Sequence, residues 1–354
     1  MGVAASAAAE AAGQFAIDAR GVEVQPHPGG HIHEAFLVTA DRRRFMLQRM
    51  NARVFPRPEL VVANIAAVTE HLTRKGTRTL RLVPARAGGW LARPAAGGAW
   101  RMSEFIEGSV TLETARDALE AERAAAAIGE FQRALADYAG PTLHLTLPGF
   151  HDTARRVAAL DRAAEAAEPS RVSTARDVLE GLRRHRTALA DFFARARAED
   201  PARERIAHHD AKIANVLFDA RTKAVLCVID LDTVMPGLSL YDFGDLVRSM
   251  VSPAAEDEPD PSRVHAEAER YAAIVRGYLA GTGAMIGDAE RRLLPGAAEA
   301  MVFEQGVRFL TDYLEGDRYY RIARPEHNLE RARAQLALLD SLAAQGAEFR
   351  RMVR

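Results

Sequence analysis

The chain has 354 residues and a mass of 38.6 kDa, and its 47 basic and 48 acidic residues give a formal charge of -1. This length allows two lobes or domains with a sizeable core. The balanced charge argues against a nucleic-acid partner, because a protein bound to phosphates carries a basic excess. Cys227 is the single cysteine, and no apolar stretch is long enough to span a bilayer, so we expect a cytoplasmic protein with no membrane partner.

The first hundred residues predict a small β-rich region with one helix. Short alternating or β-branched runs are typical of strands, and apolar residues at near-helical spacing follow Pro56 and Pro58. The predicted elements are a strand at 32–39, a turn at 39–42, a returning strand at 45–48, a helix at 59–72, and two further strands at 80–83 and 100–106.

The remainder of the chain is predicted to be mostly helical, which makes the protein α+β. The predicted helices are 112–138, 154–167, 173–196, 265–279, 299–314 and 329–349. Between residues 201 and 250 the helical period disappears, and two apolar runs of strand type, 216–218 and 224–229, flank a turn. The acidic stretch 256–260 predicts a solvated loop.

Polar side chains lie at the open end of this predicted hairpin. If the two runs pair in antiparallel fashion, Asn215 just before the first strand lies beside Asp230 just after the second. An amide oxygen and a carboxylate form a site suited to Mg²⁺, with phosphate oxygens completing the shell. Asp210 is a candidate base for an attacking hydroxyl, and Lys212 is a candidate to offset charge on a transferring phosphoryl group.

The spacing of these residues favours a kinase-like site over separate structural roles. Singly, an Asp or Asn near a turn is usually a cap, and Lys212 would be a solvated charge. Together, His208-x-Asp210-x-Lys212-x-x-Asn215 followed by Asp230 has the layout of a kinase catalytic loop and metal-binding aspartate.

Two other classes of protein are less consistent with the motif. A metal phosphohydrolase with His209 and Asp210 as an HD pair would carry them on a helix, whereas strand-like runs follow them here. The other class, a nucleotide-binding module without catalysis, is disfavoured because Asp210, Asn215 and Asp230 are all present.

Candidate nucleotide contacts lie in the first third of the chain. Gly29 and Gly30 precede a predicted strand and are candidates for a loop over the phosphates, although without the full G-x-G-x-x-G pattern. Arg49 ends a predicted strand and is a candidate phosphate ligand. Glu104 and Ile106 belong to the linker at 103–108, where backbone groups would hold adenine.

Several stretches are similar to one known family, and they run over most of the chain. They are GGHIHEAFLV (29–38), FMLQRMN (45–51), GGAWRMSEFIE (97–107), HHDAKIANVLFD (208–219), VIDLDTVMPG (228–237), YDFGD (241–245), RFLTDYLEGDRYY (308–320) and RPEHNLERAR (324–333). The chain resembles the aminoglycoside phosphotransferase and choline kinase-like superfamily, and within it the N-acetylhexosamine 1-kinase-like members.

The resemblance implies a bilobal protein-kinase-like fold, with a nucleotide-binding lobe at 1–105 and a catalytic and substrate-binding lobe at 106–354. It implies ATP as co-substrate and Mg²⁺ as cofactor. In that arrangement Asp210 is the base, Asn215 and Asp230 are metal ligands, and Asp232 is a further group near the metal.

The implied reaction is transfer of the γ-phosphate to the anomeric hydroxyl of GlcNAc or GalNAc. His31, Asp210, Arg308 and Tyr319 become candidate sugar-binding residues; alternatively, Arg308 is a helix-surface charge and Tyr319 a packing aromatic. An aminoglycoside, an amino alcohol or another hydroxyl compound is the alternative acceptor.

The sequence also departs from the family pattern at two places. Arg49 stands where typical members carry Lys, and two glutamates, Glu59 and Glu70, are available as its partner on the following helix. His33 and Glu34 differ from the Asn and small polar residues of the sugar kinases, which bears on the sugar substituent that is accepted.

Overall fold

The N-terminal part is a four-stranded antiparallel sheet in the order β1-β2-β3-β4. The computed structural model describes residues 3–18, 21–28 and 32–354. The elements of this part are α1 (Val3–Gly13), β1 (Glu23–Pro26), β2 (Glu34–Ala40), β3 (Arg43–Arg49), α2 (Pro58–Arg74) and β4 (Trp100–Glu104). Alanines of α1 share an apolar cluster with the sheet residues Val38, Leu47 and Trp100, so α1 covers one face of the sheet.

The predicted hairpin and helix are confirmed. Ala40 pairs with Arg43 across a two-residue turn in which Asp41 and Arg42 have φ of 45° and 62°, as a tight hairpin with right-handed twist requires. Helix α2 covers the predicted residues 59–72.

The strand predicted at 80–83 is wrong. Leu82 forms an isolated bridge to Ser103, and the N–H of Val83 donates to the carbonyl of Met102 at 2.9 Å. Pro84 follows and has no N–H to continue a ladder, so the contact with β4 ends there.

The larger part of the chain is mainly helical and carries two small antiparallel sheets, β5-β7-β8 and β6-β9. Its elements are β5 (Ser109–Val110), α3 (Ala118–Leu135), α4 (Thr153–Ala166), α5 (Pro169–Thr174), α6 (Arg176–Leu189), α7 (Phe192–Glu199), β6 (Glu204–Ala207), β7 (Val216–Asp219), β8 (Val225–Val228), β9 (Met235–Leu238), α8 (Ser239–Met250), α9 (Ala268–Thr282), α10 (Asp288–Arg291), α11 (Leu294–Leu314), α12 (His327–Ala344) and α13 (Gly346–Met352). The predicted α+β class is confirmed, and no helix within the described ranges is both long and apolar enough to cross a membrane.

Three helix predictions need correction. The helix predicted at 173–196 is divided among α5, α6 and α7, and the one at 329–349 between α12 and α13. At Ala175 and Gln345 the backbone leaves the helical conformation for one residue (ψ of 5° and 3°), while the apolar period continues across the break. Helix α8 lies where no helix was predicted; every residue in it except Ser249 is buried, so it lacks the polar face that marks a surface helix.

Helices α3 and α9 are in very close contact. A Cβ atom at Gly277 of α9 would lie 2.1 Å from the carbonyl oxygen of Glu122 in α3, so glycine is required at this crossing. The close approach lets the Tyr278 hydroxyl donate to Gln132 Oε1 at 2.7 Å. Gln132 in turn donates to Asp242 of α8 at 2.6 Å, and Asp242 accepts from the backbone N–H groups of His208 and His209.

Candidate active site

A cavity of about 800 Å³ lies between the N-terminal sheet and the helical part. Three groups of residues line it: sheet and linker residues including Gln48, Arg101 and Ile106; the β7–β8 hairpin with the residues around it; and inward faces of α11 and α12. The hairpin pairs Val216 with Val228, one residue from the register that would place Asn215 directly opposite Asp230. Most of the candidate residues from the sequence therefore meet in one space.

The segment before the hairpin is held by a buried carboxylate. The backbone N–H groups of His208 and His209 each donate to Asp242, both at 2.8 Å. His209 is in the left-handed region with φ of 67°, a conformation that these two bonds help to fix. Burial raises the pKa of Asp242, although His208 and the two N–H donors favour its charged form. The sequence analysis missed Asp242; its signal is an acidic residue within an otherwise buried helix.

Asp210 is oriented by three neighbours. Lys212 Nζ donates to its Oδ2 at 3.0 Å, and Asn215 Nδ2 donates to the same oxygen at 2.9 Å. His208 Nε2 donates to the carbonyl of Ile229, which leaves Nδ1 to accept from the N–H of Asp210 at 3.3 Å. Burial opposes charge on Asp210, yet the Lys212 ammonium holds the pKa of that carboxyl well below its usual range. The carboxylate is therefore ionised at neutral pH.

Lys212 is held in its charged form by the nearby carboxylates. Burial alone would lower its pKa, but Asp210 and then Asp230 raise it above the usual value. Its side chain is about 29% exposed, as is that of Asp210, so both groups remain open to the cavity. A fixed cation beside a carboxylate in a cavity wall is suited to balancing negative charge on a ligand.

Asn215 and Asp230 lie together at the mouth of the hairpin, as predicted. The N–H of Ile229 donates to the carbonyl of Asn215 at 2.9 Å, which fixes the two chain segments beside each other. Because Asn215 Nδ2 donates to the backbone and side chain of Asp210, its Oδ1 is left without a donor in the described part of the chain. An amide oxygen next to a carboxylate is a suitable pair of ligands for a divalent cation.

Asp230 is the unmatched carboxylate of the site. It is exposed to the cavity, and no side chain of the described ranges donates to it or pairs with it. Its pKa is raised by desolvation and by repulsion from Asp232 and Asp210, which together outweigh the attraction of Lys212 and Arg101. Across the described residues, no cluster of three or more His, Cys, Asp or Glu is suited to hold a metal. A cation here would need ligands from outside the chain, such as phosphate oxygens.

Asp232 is fully engaged with the N-terminal sheet. Its oxygens accept from both terminal nitrogens of Arg101 in β4, one at 2.9 Å, and from His33 Nε2 at 2.6 Å. The side chains of Asp232 and Arg101 are only 5% and 7% exposed. Burial disfavours the charge, yet Arg101 and then His33 hold the pKa of Asp232 well below its usual range. Asp232, predicted near a metal, is therefore part of a buried bridge between the sheet and the hairpin.

Arg49 does not reach the cavity. Met46 and Gln48 of β3 line it, and because side chains alternate along a strand, Arg49 lies on the other face. Its side chain is 42% exposed, contacts Glu34 at 3.3 Å and lies over the ring of Trp100. Glu59 and Glu70, its two predicted partners, instead lie near Arg57 and Arg74. Arg101, opposite Gln48 in β4, is the arginine that the sheet contributes to the cavity.

The linker candidates Glu104 and Ile106 both line the cavity. Glu104 accepts from Arg43 at 2.6 Å through its side chain. The carbonyl of Ile106 accepts from the Ser109 hydroxyl at 2.6 Å, while its N–H has no backbone partner among residues 3–18, 21–28 and 32–354. A free N–H in a cavity wall is available to a ligand acceptor. Gly29, Gly30 and His31, the other predicted contacts, lie outside the described residues.

Arg308 and Tyr319, the predicted sugar-binding residues, also line the cavity, and we call their part of it the acceptor end. Arg308 donates to Gln305 at 2.9 Å and lies over the rings of Phe150 and Tyr320, so it is not the surface charge considered as an alternative. Tyr319 is 52% exposed and contacts Tyr320 edge to face, which leaves its ring available to a ligand.

The loop that carries Tyr319 is held by a buried aspartate that the sequence analysis missed. Asp312 of α11 is 3% exposed, and its carboxylate accepts from the backbone N–H groups of 318–320 at 2.7–2.9 Å. Asn328 of α12 also donates to it at 2.9 Å. The signal is an acidic residue on the apolar side of a helix.

The predicted loop at 256–260 is confirmed, since it contains no helix or strand and the side chains of Glu256 and Asp257 are 44% and 42% exposed. Glu256 lines the cavity and accepts from Arg248, which holds its pKa below the usual value although burial acts in the opposite direction. Asp257 accepts from His327 Nε2 at 2.9 Å. Both carboxylates have basic partners on helices, which the acidic composition of the stretch does not reveal.

Residues 23–284 match the model of the phosphotransferase enzyme family APH. Similar solved structures include a microcompartment-associated aminopropanol kinase, which has 18% sequence identity and a TM-score of 0.61. The match covers 96% of this chain and 98% of that chain. An aminoglycoside phosphotransferase from Alicyclobacillus acidocaldarius has 15% sequence identity and a TM-score of 0.61, and the match covers 97% of this chain and 95% of that chain. An amicoumacin kinase in complex with AMP-PNP and Ca²⁺ has 13% sequence identity and a TM-score of 0.62, and the match covers 92% of this chain and 91% of that chain.

Proposed function

Because the chain belongs to the APH family of phosphotransferase enzymes, we propose that it phosphorylates the anomeric hydroxyl of an N-acetylhexosamine, GlcNAc or GalNAc, with ATP. The resemblance of its FLTDYLEGD and IDLDTVMPG stretches to the sugar 1-kinases supports this acceptor. In this proposal residues 1–105 form the nucleotide-binding lobe and residues 106–354 form the catalytic and substrate-binding lobe.

The observation that carries the choice of acceptor is the charge at the acceptor end. Its carboxylates Asp245 and Glu256 both accept hydrogen bonds from Arg248. Arg308, Arg321 and Arg331 line the same end and form no ion pair within the part of the chain that is described. Three unpaired guanidinium groups repel an ammonium acceptor, whereas a neutral polyhydroxyl compound can accept hydrogen bonds from them.

The chemistry follows from the residues around Asp210. The carboxylate accepts a hydrogen bond or proton from the sugar hydroxyl as it attacks, and Asn215 and Lys212 keep it in one orientation. Its low pKa makes it a weak base, which suits a reaction whose transition state is loose and requires little proton transfer. Lys212 then offsets the charge that develops on the transferred phosphoryl group.

Asn215 Oδ1 and Asp230 fit Mg²⁺, since one is an amide oxygen without a donor and the other an unpaired carboxylate. Mg²⁺ held by these two residues would supply positive charge to offset that of the nucleotide phosphates. Arg101, already fixed by Gln48 and Asp232, has two remaining N–H groups for phosphate oxygens. The N–H of Ile106 and the backbone near Glu104 would hold adenine, and Gly29 and Gly30 remain predicted phosphate contacts.

The experiment that tests this function is product analysis with ATP, Mg²⁺ and a panel of hexoses, N-acetylhexosamines, amino alcohols and aminoglycosides. Phosphorus NMR is expected to show phosphate on carbon one of an N-acetylhexosamine. Asp210→Asn is expected to bind nucleotide normally and to lose about 10²–10⁴-fold in kcat. Turnover of only the cationic acceptors would replace the sugar by an amino alcohol or aminoglycoside.

A further inference from the structure

A buried histidine and a buried glutamate connect helix α11 to the segment that carries Asp210. His151 Nδ1 lies 2.8 Å from Glu304 Oε1, and His151 Nε2 lies 3.1 Å from the carbonyl oxygen of His209. The side chains of His151 and Glu304 are only 3% and 1% exposed. Thr153, at the start of α4, donates through its hydroxyl to the other oxygen of Glu304 at 2.5 Å. The histidine and the glutamate therefore join three separate parts of the fold at one place.

Both ring nitrogens of His151 face oxygen atoms that accept hydrogen bonds. Burial opposes charge on Glu304, yet His151 and then Thr153 hold the pKa of Glu304 below its usual value, so its carboxylate is ionised. The carbonyl oxygen of His209 can only accept. A neutral imidazole has one N–H and can donate to one of these two oxygens, whereas the charged form donates to both. The geometry therefore requires His151 in its charged form, with Nδ1 donating to Glu304 and Nε2 to His209.

The rings that pack on His151 are suited to a cation. Tyr241 stacks on it with ring centroids 4.4 Å apart, and the face of an aromatic ring attracts positive charge. His209 also stacks on it, at 5.4 Å, and burial and then the charge of His151 hold the pKa of His209 well below its usual value. His209 Nε2 donates to the carbonyl of Met235 at 3.2 Å, while its Nδ1 is buried without a partner in the described part of the chain. The two stacked histidines therefore carry one charge, and it is on His151.

The carbonyl that His151 holds belongs to the peptide unit between His209 and Asp210. This unit is planar, so its oxygen and the N–H of Asp210 turn together. His151 holds the oxygen at 3.1 Å, and His208 Nδ1 accepts from the N–H at 3.3 Å. The restraint matters because His209 has a φ of 67°, a left-handed conformation that persists only where its surroundings enforce it. The two hydrogen bonds together set the direction in which the backbone presents the Asp210 carboxylate.

We propose that His151, kept charged by Glu304, is a positioning residue that fixes the peptide before Asp210 and so directs its carboxylate toward the acceptor hydroxyl. The proposal rests on the proposed function, since it takes Asp210 as the group that accepts from this hydroxyl. Glu304 lies one turn before Arg308 on α11, so the same helix supports the catalytic segment and lines the acceptor end. A displacement of about 1 Å in a catalytic group can lower the rate about 10²-fold.

The test compares His151→Leu with His151→Gln, because only the glutamine keeps an N–H that can donate to the carbonyl of His209. With the acceptor of the panel that is turned over fastest, His151→Leu is expected to lower kcat about 10–100-fold and to leave the KM for ATP within about twofold. His151→Gln is expected to recover most of the lost kcat. His71→Leu is the matched control and is expected to keep the wild-type kcat. His71 is also buried and donates through Nε2 to a carbonyl, that of Ala134 at 3.0 Å, but it does not line the cavity.

NMR of the wild-type protein labelled with ¹⁵N-histidine provides a readout that does not depend on turnover, and it decides the proposal if His151→Leu does not fold. The His151 signals, assigned by their absence in His151→Gln, are expected to show a proton on both ring nitrogens at pH 7. A His151 Nε2 without a proton, an unchanged kcat in His151→Leu, or an equal loss of kcat in both variants would overturn the proposal. A wild-type enzyme that phosphorylates no acceptor would instead overturn the proposed function, and the NMR signals would still decide whether His151 holds the carbonyl.

Discussion

Removing the charge of Asp232 is expected to destabilise the protein, whereas the same change at Asp230 is not. Asp232→Asn leaves the buried Arg101 guanidinium without its carboxylate. The loss of one partner from a buried ion pair costs about 3–5 kcal/mol. We expect the low end, about 3 kcal/mol, because the oxygen of asparagine still accepts one hydrogen bond. At about 2 °C per kcal/mol for a chain of this size, the melting temperature should fall by about 6 °C.

Asp230→Asn is the matched control two residues away. The pKa of Asp230 is raised in the folded state, so its ionisation at neutral pH reduces the stability of the fold. Removing this charge is expected to raise the free energy of unfolding by about 1 kcal/mol, as at other residues kept for function. The pKa of Asp232 is instead lowered in the folded state. Its contribution to the free energy of unfolding is therefore present above the pKa that Asp232 has in the unfolded chain, and it is lost as the pH falls through the pKa of the folded state.

The assay is thermal unfolding at pH 7 of the two variants and the wild-type protein, without metal or nucleotide. Opposite signs at positions 230 and 232 are the expected result. The reasoning would be refuted if Asp232→Asn melted within about 1 °C of the wild type, or if Asp230→Asn melted lower than Asp232→Asn.

Two further predictions concern ligand binding. The apparent dissociation constant for Mg²⁺ is expected to rise as the pH falls, because the raised pKa of Asp230 lets protons compete with the metal above the pH at which a free aspartate titrates. Mg²⁺ titrations at several pH values measure this constant. A constant that does not change down to the usual pKa range of aspartate would contradict the prediction. Asp312→Asn is expected to raise the KM for the acceptor about tenfold and to leave the KM for ATP within about twofold, because the N–H groups of 318–320 lose a charged acceptor. Steady-state kinetics in both substrates test this, and an equal change in both constants would count against it.

The catalytic hairpin could be predicted because its determinants are local. The apolar runs around 216–218 and 224–229 and the turn between them fix the register, and the register brings Asn215 to Asp230. Asp210 and Lys212 follow from their distance along the chain to Asn215. None of these relationships depends on how distant helices pack.

Arg49 and Asp232 show where local pattern is insufficient. Whether a strand residue points toward a cavity depends on which face of the sheet is covered, and α1 covers the face opposite the cavity. Asp232 is 131 residues from Arg101, so their pairing depends on the approach of the sheet to the hairpin. Helix α8 escaped prediction for a related reason, since its burial on all sides is a property of the assembled fold.

The acceptor end of the cavity has a consequence for how this enzyme can diverge. The family match ends at residue 284, whereas the residues of α11 and α12 that line the cavity begin at Met301. The catalytic hairpin therefore lies within the matched residues, whereas part of the cavity wall lies beyond them. A few substitutions along two helix faces can change the preferred acceptor while the catalytic hairpin stays intact, so homologues with identical catalytic motifs need not share a substrate.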